Sequence, residues 1–152
     1  MKIFVAKTAS PAAKAVLRQA LVLKPKRGKA SDGLLPSKAH LLQNPTSDHN
    51  TGFAVDITHD PVNGINGYEV FHHFRLDSRV KYLIFKGRIW SPEKGEHPYT
   101  GPNPHNKHVH ISIKETAGND TRPWFPWIGT PTTLNKVKSK LPKPLPKKKA
   151  TS

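Results

Sequence analysis

Cysteine is absent from the chain, so neither a disulfide nor a thiolate metal site is available. Any bound metal has to rest on histidine and carboxylate. Acid is scarce too, with ten Asp and Glu against 25 Lys and Arg, a formal balance of +15. No apolar run approaches the ~20 residues that cross a bilayer. The apolar patch in MKIFVAKTAS is too brief for the core of a signal peptide. These absences predict synthesis in the cytoplasm without an export signal. Hydrophobic residues make up only 35% of the 152 and prolines number 15, which predicts one modest core and a non-globular segment.

The positive charge favours polyanions as partners: nucleic acid, anionic lipid or anionic wall polymer. It is concentrated at one end. Residues 131–152, PTTLNKVKSKLPKPLPKKKATS, hold seven lysines and no acid, and the remaining 130 residues keep 18 basic against 10 acidic side chains, a balance of +8. Lysine and proline without periodicity predict a disordered, partly polyproline tail over 131–152, leaving residues 1–130 as the folded domain. Nucleic acid is not an expected specific partner. There is no helix-turn-helix, RNP or zinc-finger pattern, and the tail lacks the aromatics that stack on single strands.

Periodicity predicts a mixed α+β chain. SPAAKAVLRQALVLK reads as a helix capped by Ser10 with Pro11 in its first turn, and Val16, Leu17, Ala20 and Leu21 facing the core. Residues 25–50 read as a long loop with one short helical turn near Ser37 to Leu42. TGFAVDITHD alternates as a strand, with Asp56 on its less apolar face. INGYEVFHHFRLDSR returns to helical spacing, with Tyr68, Phe71 and Leu76 as expected core positions. VKYLIFKGRIW suggests a hairpin about Gly87, SPEKGEHPYTGPNPHNK a loop, and HVHISI a strand. The predicted architecture is a small, mainly antiparallel sheet flanked by helices.

Two stretches carry chemistry. SDHNTGFAVD places His49 seven residues before Asp56, and HNKHVHISI holds three histidines in six positions, His105, His108 and His110. Side chains two apart on a strand share a face, so His108 and His110 stand side by side, and one ring can bind a cation while its neighbour moves a proton. A His-x-His alone is more often an ordinary exposed pair than a metal site. His72 and His73, neighbours on a helix, point in different directions and read as structural or exposed, and His59 and His97 read as loop residues. The combination of His49, Asp56 and a strand-borne histidine pair is a stronger signal. Two histidines and a carboxylate leave a fourth position open on tetrahedral zinc, as hydrolytic sites require, whereas magnesium and calcium prefer more oxygen ligands.

SDHNTGFAVD is similar to the Ser-x-His-x-x-Gly-x-Ala-x-Asp signature of zinc D-alanyl-D-alanine carboxypeptidases and their VanY-like and phage endolysin relatives, with Ser47, His49, Gly52, Ala54 and Asp56 at its fixed positions. HVH resembles the His-x-His element shared with lysostaphin-type peptidases and hedgehog zinc domains. The resemblance covers residues 25–113. It implies a central antiparallel sheet carrying one zinc ion on His49, Asp56 and His110, with His108 as catalytic base. Some relatives use Glu-x-x-His for that base, whereas here Lys107, not a glutamate, lies three residues before His110. It also implies a substrate-binding role for Arg27, toward a substrate carboxylate, in place of a solvated surface arginine. Ser47 would touch substrate or orient His49, His105 would bind substrate or cap a loop, and Gly52 and Ala54 would be small for room beside the metal.

The function expected from this resemblance is a zinc metallopeptidase that hydrolyses a bond in the stem peptide or cross-link of peptidoglycan. It would be a phage endolysin, monomeric and bacteriolytic, kept in the host cytoplasm until holin-dependent release. Its basic tail would hold anionic wall polymers or lipopolysaccharide. The rival readings are a non-catalytic zinc module that binds wall or polyanion, and a D,D-dipeptidase acting on free small peptides.

Overall fold

The computed structural model describes residues 5–44 and 46–125. The chain divides into two compact units, Met1–Arg122 and Pro123–Ser152, and the fold described here is that of the first. The lysine- and proline-rich stretch 131–152 lies outside the described residues.

Helix α1 spans Pro11–Leu23, and Ser10 caps it by accepting the Ala13 N–H. Its buried face is made of Ala12, Ala13, Ala15, Val16 and Ala20 rather than of its leucines. Leu17 is only part-buried and Leu21 is exposed. Alanines let the helix lie close to the sheet, so the larger side chains on its flank are left outside. The short helix α2, Lys38–Gln43, is capped by Ser37. Strand β1, Ala54–Thr58, follows the tight turn of residues 47–52.

Helix α3, Gly67–Phe74, buries Gly67, Val70, Phe71 and Phe74, an i, i+3, i+4, i+7 stripe. Tyr68 lies off that stripe and Leu76 lies beyond the helix end, and both are exposed, against the expectation from spacing. Strands β2 (Val80–Phe85) and β3 (Arg88–Ser91) form the expected hairpin. Its two-residue turn puts Lys86 at φ 45° and Gly87 at φ 76°, the left-handed pair that suits a twisted ribbon. Strand β4, Gly95–Pro98, arises inside the stretch that reads as a loop and includes His97. GEHP has no apolar alternation to announce it, and it forms by adding backbone hydrogen bonds to the exposed side of β3. Strand β5 is His108–Ile113.

The five strands form one antiparallel sheet in the order β1-β5-β2-β3-β4. β5, last in sequence, lies between β1 and β2 and is covered on both faces along most of its length. Val55, Ile57, Leu83, Val109, Ile111 and Ile113 supply the apolar side of the sheet, and all are fully buried. α1 packs on β1, and α3 on β2 and β5. No helix of the described residues is long and apolar enough to cross a membrane.

Gly52 owes its identity to backbone approach rather than to the metal-like site. Its φ is +84°, and a Cβ there would sit 2.9 Å from the Thr8 carbonyl oxygen and 3.2 Å from both Ala9 Cα and Ser10 N. Gly87 has a similar φ but nothing within 4 Å of such a Cβ. Both alanine substitutions carry a left-handed backbone penalty of about 1–2 kcal/mol. Only Gly52→Ala also forces the 8–10 segment away. Urea unfolding is therefore expected to show a clearly larger loss for Gly52→Ala than for Gly87→Ala. Equal losses would mean that segment 8–10 yields freely.

Candidate metal centre

The register of β1 on β5 sets Asp56 directly opposite His110 and Thr58 opposite His108. The turn before β1 folds His49 back over the same face of the sheet. Three donor atoms converge there, on His49, Asp56 and His110, all within 4.8 Å of one another. His49 Nε2 is 3.1 Å from Asp56 Oδ1, and His110 Nδ1 is 3.3 Å from the same oxygen. The edges of a tetrahedron with metal–ligand bonds of about 2.0–2.2 Å are about 3.3–3.6 Å long, and the two spacings to Asp56 Oδ1 lie close to that. His49 and His110 are buried and their rings meet edge to face at 4.9 Å.

The outer hydrogen bonds fix which nitrogen faces inward. Nδ1 of His49 lies 2.7 Å from the Leu34 carbonyl, which can only accept, so that nitrogen carries the proton and Nε2 turns a lone pair toward Asp56. Nε2 of His110 lies 2.8 Å from Ser112 Oγ, leaving Nδ1 for the centre. When Ser112 Oγ accepts from His110 Nε2 and both rings are neutral, two lone pairs and a carboxylate point at one small volume. That arrangement calls for a positive charge, either a proton or a metal cation. Without metal, the carboxylate recruits the proton. Burial opposes charging His49, but the hydrogen bond and charge of Asp56 prevail and raise its pKa above the ordinary histidine value. Burial likewise opposes the Asp56 anion, and hydrogen bonds from His110 and His49 overcome it and hold the carboxyl well below the usual range.

Three further histidines ring the centre. His108 Nε2 is 3.5 Å from Asp56 Oδ2, and burial lowers its pKa despite the nearby carboxylate. His105 adopts φ 61°, with its N–H donating to Asn103 Oδ1 at 3.0 Å and its carbonyl accepting the Lys86 N–H at 3.0 Å. This pins the loop before β5 to the β2–β3 turn and sets the His105 ring 5.0 Å from that of His108 and 5.6 Å from that of His110. Burial, then the repulsion that His110 and His108 would exert when protonated, pushes His105 down to about 4. His40, from α2, meets the His49 ring edge to face at 5.5 Å. Nδ1 of His40 and Nδ1 of His105 are both buried without a hydrogen-bond partner.

Beside the triad lies a cleft of about 170 Å³ that His40, Ser47, Tyr82, Tyr99, His105 and His110 help to line. Ser47 Oγ accepts the His49 N–H at 3.2 Å, so Ser47 steadies the turn that carries this histidine as well as facing the cleft. Tyr82 stacks on His110 with ring centres 5.4 Å apart, and burial pushes its phenol up to about 12. Arg27 is placed elsewhere. It is buried, does not line the cleft, and turns its guanidinium to Asp32. Ser112 shares a face with His108 and His110 by strand alternation, so the sequence held a signal for it. The Leu34 carbonyl, Tyr82 and Tyr99 come from distant segments and left none, and His40 stood out only as a polar residue of a long loop that could enter the cleft.

No protein-family model, curated protein or solved structure matches the chain.

Zinc titrated into chelator-stripped protein is expected to bind at one ion per chain. Because His49 is raised, it holds a proton below its folded pKa, and the metal must displace it. Affinity should therefore weaken about tenfold per pH unit as pH falls below that value, with proton release visible as buffer-dependent heat in calorimetry. Asp56→Ala or His110→Ala is expected to weaken binding on the order of 100-fold or more. Unchanged affinity in either variant would remove that residue from the centre.

Proposed function

We propose that the chain is a zinc-dependent peptidase that hydrolyses a peptide bond in the stem peptide or cross-link of bacterial peptidoglycan, with a fold akin to the D-Ala-D-Ala peptidases and hedgehog zinc domains. The observation that carries this reading is the buried His49–Asp56–His110 triad with His108 on the same sheet face, next to an open cleft. A nitrogen-rich donor set favours zinc over magnesium or calcium.

Held by His49, Asp56 and His110, a divalent ion would supply a Lewis acid to polarise the scissile carbonyl and acidify water. The rest falls to the chain. His108 Nε2 faces the same space as the ligand atoms, and a pKa held down by burial keeps the ring neutral and ready to accept. It takes the proton of the attacking water at Nε2 and returns it to the leaving nitrogen as the C–N bond breaks. Asp56 Oδ2, 3.5 Å from that nitrogen, steadies the cationic ring once it has taken the proton. The net basic balance suits a substrate that carries carboxylates and sits among phosphate-bearing wall polymers. A phage endolysin fits this combination of site and charge.

Purified peptidoglycan incubated with the protein, with and without chelator and zinc add-back, is expected to release defined muropeptides only when zinc is present, read by mass spectrometry of new termini. His108→Ala should lower kcat by roughly 10²–10⁴-fold while leaving zinc affinity within a few-fold of wild type. A folded, zinc-loaded protein that binds the wall without cutting it would favour the non-catalytic module instead.

A further inference from the structure

β1 is an edge strand, so the backbone groups on its outer side have no neighbouring strand to pair with. Segment 27–34 takes that place. The Gly33 N–H donates to the Asp56 carbonyl at 3.2 Å, and the Asp56 N–H donates to the Gly33 carbonyl at 2.8 Å. Asp32 Oδ1 accepts the Thr58 N–H at 2.9 Å and the Thr58 hydroxyl at 2.8 Å. Leu34 offers the carbonyl that orients His49. Three consecutive residues thus reach the backbone of one ligand, the ring of a second, and Thr58, which faces His108 across the sheet.

Arg27 is what ties this segment down. Its fork donates to both Asp32 oxygens, Nη1 to Oδ1 at 2.9 Å and Nη2 to Oδ2 at 2.5 Å, and Nη1 also reaches the Gly28 carbonyl at 3.1 Å. Only 1% of the Arg27 side chain is exposed. Gly64 makes room for it, since a side chain there would run into Arg27 Cβ. A planar bidentate pair shielded from water holds one geometry, which a lysine in its place could not reproduce.

We propose that Arg27 and Asp32 form a clasp that fixes segment 27–34 along β1 and thereby sets Asp56 and His49 for the metal. Both are positioning residues, and Arg27 does not touch substrate. The inference rests on the metal reading of the triad and deepens it.

The test compares zinc affinity in wild type, Arg27→Lys and Asp32→Asn by competition with a chromophoric chelator, on full-length protein whose circular dichroism matches wild type. The expected result is a 10- to 100-fold weaker affinity in both variants. Cobalt-substituted protein should show a shifted visible spectrum, and KM on purified peptidoglycan at saturating zinc should stay unchanged. If both variants fail to fold, Thr58→Val, which removes only the hydroxyl that bridges Asp32 and Ser31, carries the same comparison. Wild-type affinity in the folded variants overturns the clasp, and a raised KM with unchanged zinc affinity returns Arg27 to substrate binding. Failure of the wild type to bind zinc removes the clasp together with the metal reading, an outcome distinct from either.

Discussion

The carboxylate of Asp56 organises everything around it. One oxygen faces His49 and His110, the other faces His108, and only 17% of the side chain remains exposed. Isolating an anion from water costs several kcal/mol, so a chain keeps one in such a place only when fixed partners surround it. The partners here come by two routes through the fold. His110 and His108 arrive by the pairing of β5 with β1, and His49 by the turn that precedes β1. A slip of one residue in that pairing would send His108 and His110 to the apolar side of the sheet and break the cluster. Sheet register and site geometry are thus a single constraint.

That constraint explains the topology better than core packing does. β5 is inserted between β1 and β2, so the ring of His110 has Asp56 on one side and Ile84 on the other, with Tyr82 stacked on it. The β2–β3 turn in turn anchors Pro104 and His105 through backbone hydrogen bonds from Gly87 and Lys86. Acids are few, and several are committed to pairs: Asp48 with Lys81, Asp77 and Asp120 with Arg79, Glu96 with Arg75 and Arg88. The pairs of Lys81, Arg75 and Arg88 are partly exposed and contribute little stability each, whereas Arg79 and its two aspartates are largely shielded. With 25 lysines and arginines against ten acids, the net field is positive however those acids are paired.

The sequence misled wherever size or composition stood in for contact. Leu21, Tyr68 and Leu76 read as core by spacing and lie exposed, because alanines set the depth of α1 and a glycine and a valine share the face of α3. GEHP became a strand by backbone pairing alone. Gly52 read as small for a metal and is small for the Thr8–Ser10 backbone. Arg27 read as a surface hand for substrate and is buried against an aspartate five residues on.

The sequence by itself determined which side chains could form the centre. Strand alternation puts His108, His110 and Ser112 on one face, the His49 to Asp56 spacing lets a turn fold back, and the lack of cysteine restricts the donors to nitrogen and oxygen. The tertiary structure alone decided which nitrogen of each ring faces inward, since that depends on the Leu34 carbonyl and on Ser112 Oγ lying where they do. It also decided what surrounds the triad. His40, Tyr82 and Tyr99 meet there only after the chain has folded, because contacts between distant segments follow from strand order and register, and no local spacing encodes those.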